Sequence, residues 1–454
     1  MKAMNPSQEA LFRLNGVPPL GTAVSLALQH LVAMMVGCVT PAIIIGNAIG
    51  LSQSDQVFLI QASLVMSAVS TLLQLYPIAG RFGSGLPVIM GVSFAYVPSM
   101  QAVASSGEGI SAIAGAMIVG GVVAILVGLF VKYIRPLFPP VITGTVVFTI
   151  GLSLYPTAIN YMAGGTGNTY ESVSASGLSL SLVYGSWQNW LMAALTLAVV
   201  MALNHYGKGL CKLASILIGM AVGYVISMAF GMVSFTDVAE AAWFSVPRFL
   251  HFGVTFEPAS CIAIGLLFAI NSIQAIGDFT ATTIGGLNRE PTTRELQGGI
   301  VCYGVTNILA ALFGGLPTAT YSQNVGIVAT NKVVNRIVFA ITGGFLLLAG
   351  ISPKFAAVLT TIPQCVLGGA TVTVFSTIAM TGMKLIASQH FSARNTTIVG
   401  LSAALGVGVS QASSALSQFP EEVTMIFGKS PVVIATIMAV LLNLILPREE
   451  KNAA

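Results

Sequence analysis

The chemically informative residues of this chain are few, and most sit in apolar surroundings. Asp278 lies within ASCIAIGLLFAINSIQAIGDFTATT (259–283) and is the one acidic residue well inside a predicted span. An ionisable group at that depth is costly and marks a functional position by default. Asn271, Gln274, Asp278 and Thr282 recur at helical spacing, so they share one face. That face must meet protein or water, either as a binding surface or as a hydrogen-bond network between helices. His30 follows Gln29 in the first apolar stretch; it could donate to pocket groups, carry a proton, or serve in packing. Gln323 and Asn324 follow Tyr321, which is grouped with them as a candidate. Neutral amides offer donors and acceptors together, and leaving them unpaired in hydrocarbon is expensive. A planar small molecule carrying N–H and C=O groups would satisfy them; so would a neighbouring helix. This is chemistry of recognition and proton carriage. Bond-making would need a nucleophile–base pair or a metal cluster, and two titratable groups on different segments do not form one. The five cysteines (Cys38, Cys211, Cys261, Cys302, Cys365) lack metal-ligand spacing, and no GxxxxGK[ST] loop is present. No cofactor, metal or ATP-driven step is expected, and no enzymatic activity.

The elements that hold these residues are membrane spans. The chain is 55% hydrophobic and 7% charged, where soluble domains have roughly 25% charged residues. Fourteen segments are predicted, near 21–49, 55–76, 88–102, 109–133, 138–156, 188–204, 211–231, 259–283, 297–313, 319–334, 336–357, 364–385, 394–411 and 423–446. The third and tenth are short and interrupted. With the N-terminus in the cytoplasm, all of the 18 Lys and Arg fall on the cytoplasmic side except Arg248, Lys354 and Lys429. The stretch 157–187 has none and reads as external, as the positive-inside rule requires. The first segment is expected to insert as its own uncleaved signal, both termini to be cytoplasmic, and no soluble regulatory domain to follow LPREEKNAA.

A repeat is legible. FGSGLPVIMGVSF (82–94) and FGGLPTATYSQN (313–324) both carry Gly-Leu-Pro, and polar or backbone-exposing residues lie six and seven positions after each Pro: Ser93 and Phe94, Gln323 and Asn324. LFPPVITGTVVF (137–148) echoes TIPQCVLGGATV (361–372). Seven spans per half make the second half inverted relative to the first. Inverted repeats with broken helices facing each other are a plan of secondary transporters. Irregular backbone at membrane depth survives only where it is buried or lines a cavity. The fold expected is therefore an all-α polytopic membrane protein of two inverted seven-segment repeats, with a polar pocket where the two Gly-Leu-Pro elements meet.

These residues resemble the nucleobase–ascorbate transporter family, or nucleobase:cation symporter-2, over nearly the whole chain. Gln29-His30 matches its Gln-His pair, and GVSFAY (91–96) its broken element, whose backbone touches the base. QNVGIVATNK (323–332) is similar to the family signature at Gln323, Asn324, Gly326 and Lys332, with Asn331 replacing the usual Thr. The resemblance implies a core domain (21–133 and 259–357) and a gate domain (134–231 and 358–446). These are flanked by a cytoplasmic N-terminus (1–20), an external loop (232–258) and a cytoplasmic tail (447–454). It also implies a homodimer in the membrane lipid, elevator-like motion, and transport of a nucleobase or ascorbate with protons or sodium. Gln323 and the loop AGGTGN (163–168) are most similar to the bacterial xanthine and uric acid branch, which implies the inner membrane. The resemblance assigns Gln323, Asn324, Gln274, Phe94, Ser93, His30, Gln29 and Tyr321 to substrate, and Asp278 and His30 to coupling. Two acids common in the family are absent: Gln274 stands for a Glu, and Tyr303 for an Asp in purine members. Uncoupled or sodium-coupled transport, another nucleobase, or an anion on the same fold remain open alternatives. For an anion, Lys332 is the candidate cation.

Overall fold

The computed structural model describes residues 6–134, 139–166, 171–173, 179–181, 183–390, 392–420, 423–428 and 430–447. Arg135, Gly167, Asn168, Glu421, Glu422, Lys429 and the tail 448–454, which bear on the sequence reading, lie outside them.

Helices dominate. The first half contains α1 (Leu20–Ile49), α2 (Gln53–Leu75), strand β1 (Met90–Val92), α3 (Val97–Ser105), α4 (Gly109–Leu129), α5 (Pro140–Met162), α6 (Trp187–Tyr206) and α7 (Ser215–Ala229). A small ribbon, β2 (Glu171–Val173) with β3 (Ser179–Ser181), precedes α6. The second half contains α8 (Pro258–Leu287), α9 (Thr293–Leu312), β4 (Thr318–Thr320), α10 (Ser322–Asn331), α11 (Arg336–Gly350), α12 (Pro353–Thr360), α13 (Gln364–Ala387), α14 (Ala393–Gln411) and α15 (Pro431–Ile445). Among the described residues, seven helices are long and apolar enough to cross a membrane: α1, α2, α4, α5, α6, α8 and α13. α11 and α12 together make a further, bent candidate.

Two predicted spans have a different shape from that expected. The sequence predicts a single segment over 336–357, but the chain bends there by 78° between α11 and α12. Ser352 accepts from Phe355 N at the bend and starts a new helix with Pro353 in its first turn. A proline cannot supply the N–H that would continue α11. Segment 423–446 begins with a π-helical turn (Thr424–Gly428), and its α-helix starts only at Pro431.

The helices with proline starts in the second echoed pair, α5 and α13, lie against each other backbone to backbone. A Cβ on Gly382 would stand 2.2 Å from Phe148 N, one on Gly151 2.4 Å from Ala379 N, and one on Gly368 2.2 Å from Met162 N. Such small-residue seams let helices approach in lipid, where little hydrophobic force drives them together.

Basic side chains tie down turns at what the charge pattern reads as one side. Arg294 donates to Gly80 O (2.8 Å), and Arg336 to Gly85 O (2.6 and 3.0 Å). Residues 10–16 strap across the same region. Leu11 O accepts from Val334 N and Asn335 N, Leu14 O accepts from Arg336 N, and Asn335 Nδ2 donates to Ala10 O and Gly16 O. Lys354, an exception to the charge rule, belongs to another neighbourhood. Its Nζ donates to Ala239 O and Ala241 O and stands 4.6 Å from the Trp243 ring.

Gly382→Leu is expected to destabilise the protein by about 1–3 kcal/mol or more through overpacking. Gly344→Ala on α11, whose Cβ would meet nothing within 4 Å, should leave stability unchanged. Melting of the detergent-solubilised variants checks this; equal melts would remove the seam as a structural determinant.

Candidate functional site

The centre of the site is a two-stranded ribbon. β1 and β4 pair antiparallel in the register Met90↔Thr320, Gly91↔Ala319 and Val92↔Thr318. Two flanking bonds extend it, Ser93 N to Pro317 O and Tyr321 N to Ile89 O, both 3.0 Å. Pro87 and Pro317 are 230 positions apart, as are Met90 and Thr320, so the ribbon joins equivalent positions of the two repeats at that one pair, and the antiparallel register shifts its neighbours off equivalence. Gly-Leu-Pro before each strand stops a helix from forming, since proline both breaks a helix and biases the residue before it to extended backbone.

Each outer strand edge is closed by a side chain from a long helix. Thr71 Oγ1 of α2 accepts from Met90 N (3.0 Å) and donates to Met90 O (3.2 Å). Asn307 of α9 accepts from Thr318 N at Oδ1 (2.7 Å) and donates from Nδ2 to Thr318 O (3.2 Å). Beyond the ribbon the chain turns helical in both directions. Ser93 Oγ accepts from Ala95 N (3.2 Å) and opens the turn into α3, while α10 starts at Ser322. Two helix N-termini, each with unsatisfied N–H groups and a partial positive charge, thus begin beside the same ribbon.

A cavity of about 410 Å³ lies against this point, within the range of small-molecule sites. Its walls come from two sets of elements. One set is α1 (Val32, Ala33, Val36, Gly37), the β1 end and turn (Val92, Ser93, Phe94, Ala95), α8 (Gln274), and the β4–α10 junction (Thr320, Tyr321, Ser322, Gln323). The other is α5 (Val147, Ile150), the start of α7 (Leu213 before it, Ile216 in it), and α13 (Val374, Thr377, Ile378, Thr381, Lys384). Phe94 meets Phe375 of α13 edge to face, with centroids 5.1 Å apart.

The sequence candidates separate into wall and support. Gln323, Gln274, Ser93, Phe94 and Tyr321 line the cavity. Tyr321 is held there: its hydroxyl donates to Val92 O (2.6 Å), and its ring fills the space left by Gly37 and Gly91, where a Cβ would approach it to 2.7 Å in each case.

Asp278 stands behind the wall, 8% exposed. Its carboxylate accepts from Thr320 Oγ1 (2.5 Å) and Ser322 Oγ (2.8 Å), the two residues that flank Tyr321. Asn324 is also behind the wall. Its Nδ2 donates to His30 O (3.0 Å) and contacts His30 Nδ1 (3.1 Å), so the pair joins α10 to α1. His30 is fully buried against Phe339, with centroids 4.6 Å apart. Gln29 is half-buried and not among the lining residues.

Tyr303 is fully buried, and its hydroxyl is bonded to that of Tyr96; Phe268 packs on both rings. The remaining signature positions shape the end of α10. Asn331 Oδ1 accepts from Val333 N (2.9 Å), and Lys332, with φ 60°, donates to Gly285 O in the last turn of α8 (2.5 Å). A cation there offsets the negative helix C-terminus. Gly326 is exposed, with open space where a Cβ would be.

The polar face of α8 is thus divided in use. Gln274 reaches the cavity, Asp278 braces the ribbon, Thr282 Oγ1 returns to Asp278 O (2.8 Å), and Asn271 Nδ2 returns to Leu267 O (3.0 Å). Sequence reading missed the whole α13 wall. The signal was present: 374, 377, 378, 381 and 384 fall on one helical face, but their polar members are threonines and a terminal lysine, which attract no attention in isolation.

Comparison with known proteins agrees with this architecture. The permease family profile Xan_ur_permease matches residues 21–414. The uric acid permease PucK of Bacillus subtilis is 35% identical over 432 residues, 94% of this chain and 96% of that protein. The xanthine permease XanQ of Escherichia coli is 31% identical, covering 97% and 94%. In fold, the transmembrane domain of the cyanobacterial bicarbonate transporter BicA matches with a TM-score of 0.59 at 16% identity, covering 92% of this chain and 97% of that one. The chain is a multi-pass integral membrane protein and belongs to the Xan_ur_permease family, the nucleobase:cation symporter-2 or nucleobase–ascorbate transporters.

Proposed function

We propose that this permease carries a purine nucleobase, xanthine or uric acid, across a bacterial inner membrane by proton symport. The observation that carries this reading is the placement of two carboxamides, Gln274 and Gln323, on one cavity wall with the Ser93–Phe94 backbone and the start of α10. A purine ring presents alternating N–H, C=O and ring-nitrogen groups in a plane. Carboxamides can meet both kinds with one side chain each, backbone N–H groups at a helix start favour carbonyl oxygens, and the Phe94 ring offers an apolar face. The names of the relatives, uric acid and xanthine permeases, support the purine class.

Transport follows from the two-sided wall. Elements of 21–133 and 259–357 supply the carboxamides and the ribbon end and form the core; elements of 134–231 and 358–446 supply the aliphatic, threonine and lysine side and form the gate. The core, one of each inverted repeat's halves, slides past the gate and carries the substrate in an elevator-type motion, within a fourteen-span subunit of a homodimer. The mouth near Lys384, read from the charge pattern as cytoplasmic together with both termini, makes this conformation inward-open. Asp278 couples the proton. Protonation removes its charge and turns one acceptor oxygen into a donor, which must rearrange the hydroxyls of Thr320 and Ser322, and through them the wall at Tyr321. His30 and Asn324 hold α1 to α10 so that this rearrangement is confined to the ribbon end.

Gln323→Ala and Gln274→Ala should each reduce uptake of labelled xanthine or urate about tenfold, the scale of one buried hydrogen bond lost, with normal abundance in the membrane. Undiminished uptake in both would remove the carboxamide assignment. Wild-type uptake should collapse on adding a protonophore, whereas Asp278→Asn should leave a slower, purely equilibrating uptake that the protonophore does not change. Protonophore-sensitive accumulation by the Asn variant would move coupling away from Asp278.

A further inference from the structure

Lys384 is the one charged side chain among the described residues that line the cavity; neither a carboxylate nor another cation shares the wall. It stands in the last turn of α13, exposed, on the face that also carries Val374, Thr377 and Thr381. From the level of Phe375, which packs on Phe94, to Lys384 is nine residues of helix, about 13 Å of rise. Lys384 is therefore well removed along the helix from the ribbon end, and its exposure puts it toward the open end of the cavity. Thr377 and Thr381 donate their hydroxyl protons to their own helix, to Thr373 O and Thr377 O (both 2.8 Å), and add no charge. At the inner end Gln274 is neutral, and Asp278 is turned behind the ribbon onto two hydroxyls. Lys384 is thus the one full charge on the cavity's own surface, and low-dielectric walls focus its field toward that end of the cavity.

We propose that Lys384 makes this site selective for the anionic form of its purine, drawing a urate-like monoanion to the mouth in preference to neutral rings. The proposal rests on the reading of the cavity as a purine site. It differs from that reading in the residue and in the property recognised: charge at the entrance rather than hydrogen-bond pattern at the ribbon.

The test compares initial uptake of radiolabelled urate, a monoanion at neutral pH, with hypoxanthine, neutral at that pH, in cells expressing wild type, Lys384→Gln or Lys384→Arg, each normalised to protein in the membrane. Lys384→Gln should lower kcat/KM for urate about fivefold more than for hypoxanthine, the scale of one partly screened charge interaction. Lys384→Arg should keep the wild-type ratio. Equal losses for both substrates in Lys384→Gln would assign the lysine a merely structural role and overturn the proposal. Wild-type uptake of hypoxanthine without urate would also overturn it while leaving the purine site standing. Wild-type uptake of xanthine alone would overturn the proposal and leave the purine site standing, whereas uptake of none of urate, hypoxanthine and xanthine would defeat the purine reading itself.

Discussion

A strand inside a membrane has peptide groups that water cannot reach, and every one must find a partner within the protein. The β1–β4 ribbon meets that demand on its inner edge by pairing across the two repeats, and on its outer edges at Met90 and Thr318 through Thr71 and Asn307. The outer partners come from different helices, α2 and α9, and use different chemistry. A hydroxyl that donates and accepts serves one edge, and a carboxamide serves the other. Loss of either would leave buried backbone groups unpaired at a cost of about 1–3 kcal/mol each. The rest of the site is arranged around these bonds.

Because the ribbon is fixed, its neighbours can be precise. Tyr321 occupies a slot made by the missing side chains of Gly37 and Gly91 and locks onto Val92 O. Asp278 clamps the residues on both sides of it. The wall that faces these residues is built on another principle. α5 and α13 are zipped by glycine contacts along their length and present Val147, Ile150, Val374 and Ile378 to the cavity. With Thr377 and Thr381 bonded back to their own helix, such a surface makes few directional bonds with its opposite wall. That suits the sliding boundary proposed above.

Much of this was legible in the sequence, because apolar runs, proline placement and the doubled Gly-Leu-Pro are local signals. Helix bounds came out within a few residues for α1, α2 and α8. What was not legible depends on direction in space. Helical spacing put Asn271, Gln274, Asp278 and Thr282 on one face but could not say that only Gln274 reaches the cavity while Asp278 is taken up by two hydroxyls from another element. Asn324 follows Gln323 directly, yet one faces the cavity and the other is committed to His30, since adjacent helical residues point about 100° apart. The bend at Ile351–Ser352 was hidden because both sides of it are apolar, although Ser352-Pro353 carries a start signal in plain view.

The strap of residues 10–16 bears on how the molecule is made. Its partners, Val334, Asn335 and Arg336, lie more than 300 positions later in the chain; Asn335 and Ala10 are separated by 325. At translation rates of about 5–20 residues per second, that interval is on the order of tens of seconds. Throughout it, the early segment has emerged while its binding surface does not yet exist. Seating of the strap is therefore a late event of biogenesis, possible only after both ribbon strands and most of the helices have been inserted. A short stretch at the beginning of the chain becomes a report on the completion of a layer assembled from its middle.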